Sequence, residues 1–220
     1  MTKKELQKYF ELSKKMDELW GIGNDVLYEM CKKYPSHKNE SEVVAKIFLI
    51  GRSYAASIER SKNDHIYEKK IPALVYKHGK DIDTALLQCN KENLQQLFST
   101  YDLILRSFHE VSGKWNRSLA SKYLHFHQPE NFYIMDSRAK KGLSEVSKLY
   151  PIVSSAKNEE KKLYSVSHES KEYVHFYLKC QKCKQELENE FNCKLSTRDL
   201  DNLLLTIADN KKRNGSQYEI

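Results

Sequence analysis

The chain contains no long hydrophobic run. No segment reaches the roughly 18–20 consecutive apolar residues that a membrane-spanning helix needs. The N-terminal segment, MTKKELQKYFEL, has no continuous apolar region of the kind found in a secretory signal peptide. The sequence therefore predicts a cytoplasmic protein that does not contact a membrane.

Cysteine is sparse and follows no pairing pattern. The five cysteines are widely spaced, at positions 31, 89, 180, 183 and 193. An odd number of scattered cysteines predicts reduced thiols rather than a disulfide framework. Cys180 and Cys183 form a CxxC pair, which together with His175 and Cys193 suggests a zinc site. Structural zinc prefers two tight pairs, and this pair lies within a helical pattern. We therefore predict no metal and no cofactor.

Several motifs of common enzyme classes are missing as well. The sequence has no P-loop, no GxSxG, no HExxH and no dinucleotide-binding glycine motif. Their absence argues against nucleotide hydrolases, esterases and metalloproteases. Internal repeats and β-hairpin signals are also missing, so the fold class has to come from helical periodicity.

Positive charge is abundant. The formal net charge is +7 over 220 residues, which favours a polyanionic partner. A solvated, lysine-rich surface would give the same composition. The length suits one large domain or two small ones.

Helical periodicity dominates the chain. Thr2 and Glu5 form a capping box for a first helix, which Gly21 and Gly23 are expected to end. Further helices are predicted at 24–34, from 41 through Ile58, at 82–88, at 91–108 with Asn90 as N-cap, at 137–149, at 168–191 and from 196 onward. Residues 61–80, which contain Pro72 and Gly79, are expected to form a loop with a short extended piece. The predicted fold is mainly α: a single compact helical domain over residues 1–220, with two lobes around a cleft as a variant.

Residues 113–138, GKWNRSLASKYLHFHQPENFYIMDSR, carry the main functional signal. A turn containing Gly113 leads into an apolar helix, and a loop containing Pro129 follows. The loop delivers Asp136 to the start of another helix. Along the chain, a turn whose backbone can bind phosphate therefore comes before a single acidic residue.

This segment resembles the active-site region of the helix-hairpin-helix DNA glycosylase superfamily, in particular the 8-oxoguanine-DNA-glycosylase-like proteins of bacteria. Gly113 corresponds to the hairpin, LASKYLHF to its helix, Pro129 to the loop and Asp136 to the acid. IGRSYAASIER (50–60) and STRDLDNLLL (196–205) are also similar to segments of that group. The resemblance implies a base-excising enzyme that acts on double-stranded DNA containing a modified base. Residues 113–149 would carry a degenerate hairpin and the catalytic acid.

The segment departs from the superfamily in two respects. It has one glycine where the full hairpin has a glycine-x-glycine turn. Bifunctional members place a Schiff-base lysine about twenty residues before the aspartate, a spacing that falls here on Asn116 and Arg117. Arginine stays protonated and cannot act as the amine nucleophile. Lys122, 14 residues before Asp136, could serve only with altered geometry, so we predict a monofunctional enzyme and keep Lys122 as a second candidate catalytic residue.

One fixed acid suffices for the predicted chemistry. Cleavage of an N-glycosidic bond builds positive charge on the sugar, which the Asp136 carboxylate can stabilise, or the carboxylate can orient a water molecule. The base must first leave the stack and enter a pocket. An aspartate before a helix is also an ordinary N-cap, and the two roles are compatible.

Other residues are candidates for binding DNA. Backbone contacts are predicted from the 112–117 turn and nearby cations, namely Ser112, Gly113, Lys114, Arg117, Arg138 and Lys140. The alternatives are a simple interhelix turn and solvated surface charges. Candidate base-pocket residues are Arg52, Tyr54, Trp115, His125 and His127. For these the alternatives are structural, namely a paired buried arginine, core packing and structural histidines.

Two further functions remain open. Arg60 and His65 match the loose Arg-x4-6-His pattern of HEPN-type ribonucleases, which are also small helical proteins. The chain could instead be a non-catalytic DNA-binding protein that keeps the glycosylase fold. For the glycosylase, repair of oxidised bases and excision of hypermodified phage bases in antiviral defence are both open, and a monomer is expected.

Overall fold

The computed structural model describes residues 1–58, 65–150, 152 and 165–214. These residues form helices, turns and short connections without a β-strand, which confirms the predicted α class. The helices are α1 (Lys3–Lys33), α2 (Glu40–Ser53), α3 (Ile71–Gln88), α4 (Leu94–Ser112), α5 (Arg117–His127), α6 (Ser137–Val146), α7 (Lys171–Phe191) and α8 (Thr197–Asn214). A π-helical turn, Ile66–Lys70, precedes α3, and a 3-10 turn, His168–Ser170, precedes α7. Within these ranges no helix is long and apolar enough to cross a membrane.

The prediction that Gly21 and Gly23 end the first helix is wrong, because α1 continues through both. Its N-terminal capping box is confirmed: the Glu5 amide donates to Thr2 Oγ1 at 3.2 Å, and the Thr2 amide donates to the Glu5 carboxylate at 2.7 Å. A glycine costs only about 1 kcal/mol in a helix interior. Leu6 lies before the glycines and Leu27 after them, and both are buried. This burial outweighs the local preference of the two glycines.

The prediction of a loop with an extended piece over residues 61–80 is also wrong wherever the structure describes it. The π-helical turn begins at Ile66 and runs directly into α3. Pro72 lies in the first turn of α3, where the missing N–H has no intrahelical partner to lose. Gly79 lies inside α3. A glycine is needed there because a Cβ would be 2.4 Å from the carbonyl oxygen of His37. Both residues are thus compatible with a helix.

Other boundaries differ by a few residues. α4 begins at Leu94, and its N-cap is Asn93, which accepts from the Gln96 amide at 3.1 Å; Asn90 was expected in that role. α2 ends at Ser53, so the predicted continuation to Ile58 does not occur. The second capping box is confirmed, since the Asp199 amide donates to Ser196 Oγ at 3.0 Å.

The chain divides into two compact units. The first consists of Met1–Ile22, Tyr133–Tyr164 and Tyr173–Ile220. In its interior α6 packs directly on α8: a Cβ at Gly142 would be 2.1 Å from the carbonyl oxygen of Leu204. Phe10 and Phe191 also stack there, with ring centroids 4.0 Å apart.

The second unit consists of Gly23–Phe132 and Ser165–Glu172. Its second segment is held by one buried carboxylate on α4, Asp102, which accepts from the Ser167 amide at 3.2 Å and from Ser170 Oγ at 2.6 Å. Burial alone would raise the pKa of Asp102, but hydrogen bonds from Ser167, Ser170 and Arg106 hold it below its usual range. The Asp102 carboxylate is therefore ionised, and it joins the Ser165–Glu172 segment to α4.

Candidate functional site

The turn between α4 and α5 is built by residues at the end of α4. Gly113 ends the helix in the left-handed conformation, with φ of 69°, and its N–H donates to the His109 carbonyl at 2.7 Å. Ser112 is buried, and its hydroxyl donates to the Phe108 carbonyl and accepts from Asn116 Nδ2 at 2.6 Å. The Gly113 N–H and the Ser112 hydroxyl therefore both have hydrogen-bond partners within this part of the chain. Lys114 is exposed beside them.

Two neighbouring residues are fixed by contacts within the second unit. The Trp115 indole stacks on the His109 imidazole, with centroids 3.9 Å apart, so one of its faces is covered. Arg117 Nε donates to the Glu169 carbonyl at 2.9 Å and lies 3.4 Å from the Glu172 carboxylate. The predicted backbone contact of Arg117 would have to compete with these internal partners.

Lys122 and Tyr54 are brought together. Lys122 is buried on α5; its ammonium donates to Ser118 Oγ at 2.8 Å and lies 5.5 Å from the centroid of the Tyr54 ring. The Tyr54 hydroxyl donates to Oδ1 of the buried Asn24 at 2.6 Å. Asn24 was not predicted as part of the site, because its place in α1 carries no sequence signal for this contact.

His125 has a structural role. It is fully buried, its Nε2 accepts from the Tyr28 hydroxyl at 2.7 Å, and its Nδ1 lies 2.8 Å from the Phe132 carbonyl oxygen. A carbonyl can only accept, so Nδ1 carries the proton. Both ring nitrogens are engaged, which is the structural alternative that the sequence left open.

His127 belongs to a group that we call the imidazole cluster, made of the buried residues His37 and Tyr123 and the half-buried residues Asp83 and His127. His37 Nδ1 lies 2.8 Å from the Asp83 carboxylate, and its Nε2 lies 2.7 Å from the Tyr123 hydroxyl. The His127 ring stacks on His37 at 5.3 Å, and within the described residues its Nε2 has no hydrogen-bond partner. Burial and then the Lys46 ammonium lower the pKa of His37 to about 4, against the opposing effect of Asp83. Burial, followed by Lys46 and His37, lowers the pKa of His127 well below its usual value.

Arg52 is exposed in the last turn of α2, where its charge favours the helix dipole. Its guanidinium lies 5.5 Å from the centroid of the Phe48 ring. Arg52 is therefore not the buried arginine of the structural alternative, and its predicted role in a base pocket stays a prediction.

Asp136 is the N-cap of α6, in the first unit. Its Oδ1 accepts from the Ala139 amide at 2.9 Å, and its side chain is half-buried. The three residues before it, Tyr133–Met135, are buried, and the Tyr133 carbonyl accepts from the Tyr173 hydroxyl at 3.0 Å. The positive end of the α6 dipole favours negative charge at this position. Asp136 is thus an acidic residue fixed by the start of α6 on one side and by the buried segment Tyr133–Met135 on the other.

Two predicted cations follow Asp136 on α6. Arg138 forms an ion pair with Asp209 of α8, in which Nε donates to Oδ1 at 3.0 Å. Lys140 is exposed. Both lie within the first turn of the helix that begins after Asp136.

The residues of two other candidate sites are placed as follows. Arg60 lies outside the described residues, and His65 is exposed with φ of 65°. Cys180 and Cys183 are buried thiols within α7, and burial raises the pKa of both. Among the described residues, no group of three or more His, Cys, Asp or Glu side chains could hold a metal ion.

Comparisons with known proteins add no relative. No protein-family model, no curated protein and no solved structure matches the chain. The function must therefore be argued from the site.

Proposed function

We propose that the protein is a DNA glycosylase that flips a modified base out of double-stranded DNA and hydrolyses its N-glycosidic bond. The observation that carries this proposal is the placement of Asp136. Its carboxylate is half-buried at the start of α6, oriented by the Ala139 amide and preceded by buried residues. A carboxylate fixed in this way stabilises the positive charge that develops on the sugar without having to reorganise.

The turn between α4 and α5 supports DNA binding in this proposal. Hydrogen bonds of Ser112 and Asn116 give the turn a defined shape, and Lys114 stands exposed next to it. A rigid turn with an adjacent ammonium can fix the register of a phosphate backbone. The net charge of +7 favours the same partner.

The reaction is proposed to be hydrolytic rather than lyase-type. The Lys122 amine, the other candidate catalytic group, is buried, donates to Ser118 and faces the Tyr54 ring. These contacts suit a positioned cation, whereas a Schiff base needs a neutral amine within reach of the sugar. The product would be an abasic site, in base-excision repair or in defence against phage DNA.

A panel of duplex oligonucleotides, each with one modified base, tests the proposal. The panel would include an oxidised purine, an alkylated purine and a glucosylated pyrimidine, and strand breaks would be scored with and without alkali. A monofunctional glycosylase yields breaks only after alkali. No break on any of these substrates would overturn the proposal.

The Asp136→Asn variant gives the matched test of the acid. The asparagine side chain still accepts a hydrogen bond at an N-cap, so α6 is kept while the charge is lost. We expect base release to fall about 100-fold or more. Asp199→Asn, which changes the carboxylate of the capping box at the start of α8, should leave base release unchanged. Equal base release by Asp136→Asn and the unmodified protein would show that Asp136 is not the catalytic acid.

A further inference from the structure

The segment that leads to Asp136 has no secondary structure of its own. Residues 132–136 form neither a helix nor a strand, although Tyr133–Met135 are buried. A helix or a strand would fix the backbone through regular backbone hydrogen bonds, so this segment depends on other contacts for its position. The contacts that fix the segment therefore also determine where the Asp136 carboxylate lies.

The segment is held at Tyr133 by two residues of α7. The Tyr173 hydroxyl donates to the Tyr133 carbonyl at 3.0 Å, and this hydrogen bond is buried. One helical turn further along α7, the Tyr177 ring packs edge-on against the Tyr133 ring, with centroids 5.0 Å apart. One contact holds the backbone of Tyr133 and the other holds its side chain, so together they fix both the position and the orientation of that residue.

The Tyr173 hydroxyl is not needed to fill space. Tyr173 has an exposed fraction of 0%, and a phenylalanine ring would occupy nearly the same volume. Burying a hydroxyl is unfavourable unless it forms a hydrogen bond, and a buried tyrosine usually has such a partner. The hydroxyl therefore contributes through hydrogen bonding, and the group that it binds is the Tyr133 carbonyl.

The other end of the segment is fixed by α6. The Lys140 amide donates to the Asp136 carbonyl at 3.0 Å, and the Ala139 amide donates to Asp136 Oδ1 at 2.9 Å. Three residues of extended chain span at most about 10 Å, so a short link joins Tyr133 to Asp136. Its inner residues are buried, and close-packed interiors transmit strain. A shift of the Tyr133 carbonyl therefore reaches Asp136.

We propose that Tyr173 is a positioning residue for Asp136, which it holds in the geometry needed for base release by fixing the Tyr133 carbonyl. Tyr173 acts in this way only if Asp136 faces the sugar, so its role rests on the proposed function. A catalytic group displaced by about 1 Å can lose on the order of 100-fold in rate. Removal of the hydroxyl alone should cost less, because the Tyr177 ring still packs against Tyr133.

The Tyr173→Phe variant tests this role, because it removes the hydroxyl and keeps the ring. In single-turnover assays on a modified-base duplex that the unmodified protein cleaves, the rate constant for base release should fall about tenfold. The dissociation constant for the same duplex should not change, since Tyr173 is buried and cannot touch DNA. A variant that was merely less folded would release less base in total, at an unchanged rate constant.

Ser107→Ala is the control for the loss of a buried hydroxyl. The Ser107 side chain is buried on α4, and its hydroxyl donates to the Leu103 carbonyl at 2.9 Å. This substitution removes the same kind of hydrogen bond at a place that does not lead to Asp136. The rate constant for base release should therefore stay at that of the unmodified protein.

Amide hydrogen exchange measures the positioning of Asp136 without a substrate. The Ala139 amide is held by the Asp136 carboxylate. In Tyr173→Phe we expect this amide to exchange about tenfold faster, because the cap opens more often. The Asp199 amide, which donates to Ser196 Oγ at the start of α8, should exchange at its original rate.

The results separate the role of Tyr173 from the proposed function. Base release by Tyr173→Phe at the unmodified rate, an equal fall in Ser107→Ala, or unchanged exchange at Ala139 would overturn the role of Tyr173 and leave the proposed function standing. No base release by the unmodified protein would overturn the proposed function and, with it, the role of Tyr173 in base release. Exchange at Ala139 would then still decide whether Tyr173 holds Asp136.

Discussion

At the scale of single residues, Asp136 combines an observed helix cap with a proposed catalytic charge, and substitutions can separate the two. Its carboxylate caps α6 through the Ala139 amide, and in the proposed reaction its charge faces the sugar. Sequence reasoning predicted both roles for the residue, and the cap could be predicted because an aspartate ahead of a helix has a local signature. The cap is now observed, and the catalytic function stays a proposal.

Asp136→Ala should separate the cap from the charge. Alanine cannot accept from the Ala139 amide, so we expect the free energy of unfolding to fall by about 1 kcal/mol. Asp136→Asn should stay close to the unmodified protein, because its amide oxygen can still cap α6. Urea unfolding followed by circular dichroism measures the difference. If the two variants were equally destabilised, the charge rather than the hydrogen bond would be what holds the start of α6.

The imidazole cluster should make the protein sensitive to acid. The pKa of His37 is about 4 in the folded chain and about 6.5 in an unfolded one. The unfolded chain therefore binds a proton first as the pH falls, and the stabilisation present above pH 6.5 is lost on the way down to pH 4. The shift corresponds to a loss of about 3 kcal/mol.

A comparison with His37→Gln tests this assignment. The variant should be less stable at pH 7, but its free energy of unfolding should fall less steeply between pH 6.5 and pH 4.5. His168→Gln is the control, since the His168 side chain is 88% exposed. Urea titrations at several pH values give the slopes. Parallel curves for His37→Gln and the unmodified protein would show that His37 does not cause the acid sensitivity.

Some residues of the site could not be predicted because their partners are distant in sequence. His125 meets Tyr28, and Tyr123 meets His37, across long stretches of chain. No local spacing encodes such contacts. Sequence reasoning therefore listed His125 and His127 as base contacts, with structural histidines as the alternative, and burial favours that alternative.

At the scale of helices, glycines show why local preference misplaced some boundaries. Gly21 was expected to end a helix and lies in the middle of α1, where a Cβ would meet nothing within 4 Å. Gly142 lies in α6 for a different reason, because the Leu204 backbone leaves no room for a side chain. Sequence alone does not distinguish a glycine that has room for a side chain from one whose place is required by the close approach of another helix. Capping boxes, whose partners are three residues apart, were placed correctly.

Two alanine substitutions should have opposite effects. Gly21→Ala should raise the free energy of unfolding by about 1 kcal/mol, since alanine favours the helix and has room. Gly142→Ala should lower it by about 3 kcal/mol, because the new methyl group would push α6 away from the α8 backbone. Thermal and urea unfolding would measure both. Equal effects of the two variants would contradict the close packing of α6 on α8.

At the scale of the whole molecule, the net charge of +7 favours the proposed DNA partner, and the salt dependence of binding would report how many phosphates the protein contacts. Each phosphate neutralised by a cation contributes a slope of about −0.9 to log K against log salt concentration. Composition alone predicts a polyanionic partner, because that preference depends on the summed charge rather than on the fold. Which cations contact DNA is a finer question that substitution must answer.

Lys114→Ala should reduce the affinity for an unmodified duplex and lower the magnitude of the salt slope by about 1. Lys80→Ala, an exposed lysine on α3, should change neither quantity by a comparable amount. Fluorescence anisotropy at several salt concentrations measures both. Identical slopes for the two variants would remove the α4–α5 turn from the proposed DNA contact.

The return of residues 165–172 to the second unit, secured by Asp102, affects how the protein can be synthesised and dissected. The chain passes from one unit to the other and back, so neither unit is a continuous piece of sequence. No single cut yields an intact half, and no one-piece fragment can be expressed as either unit. On the ribosome, the second unit is complete only after Glu172 has emerged, and the first only after the helices that follow it.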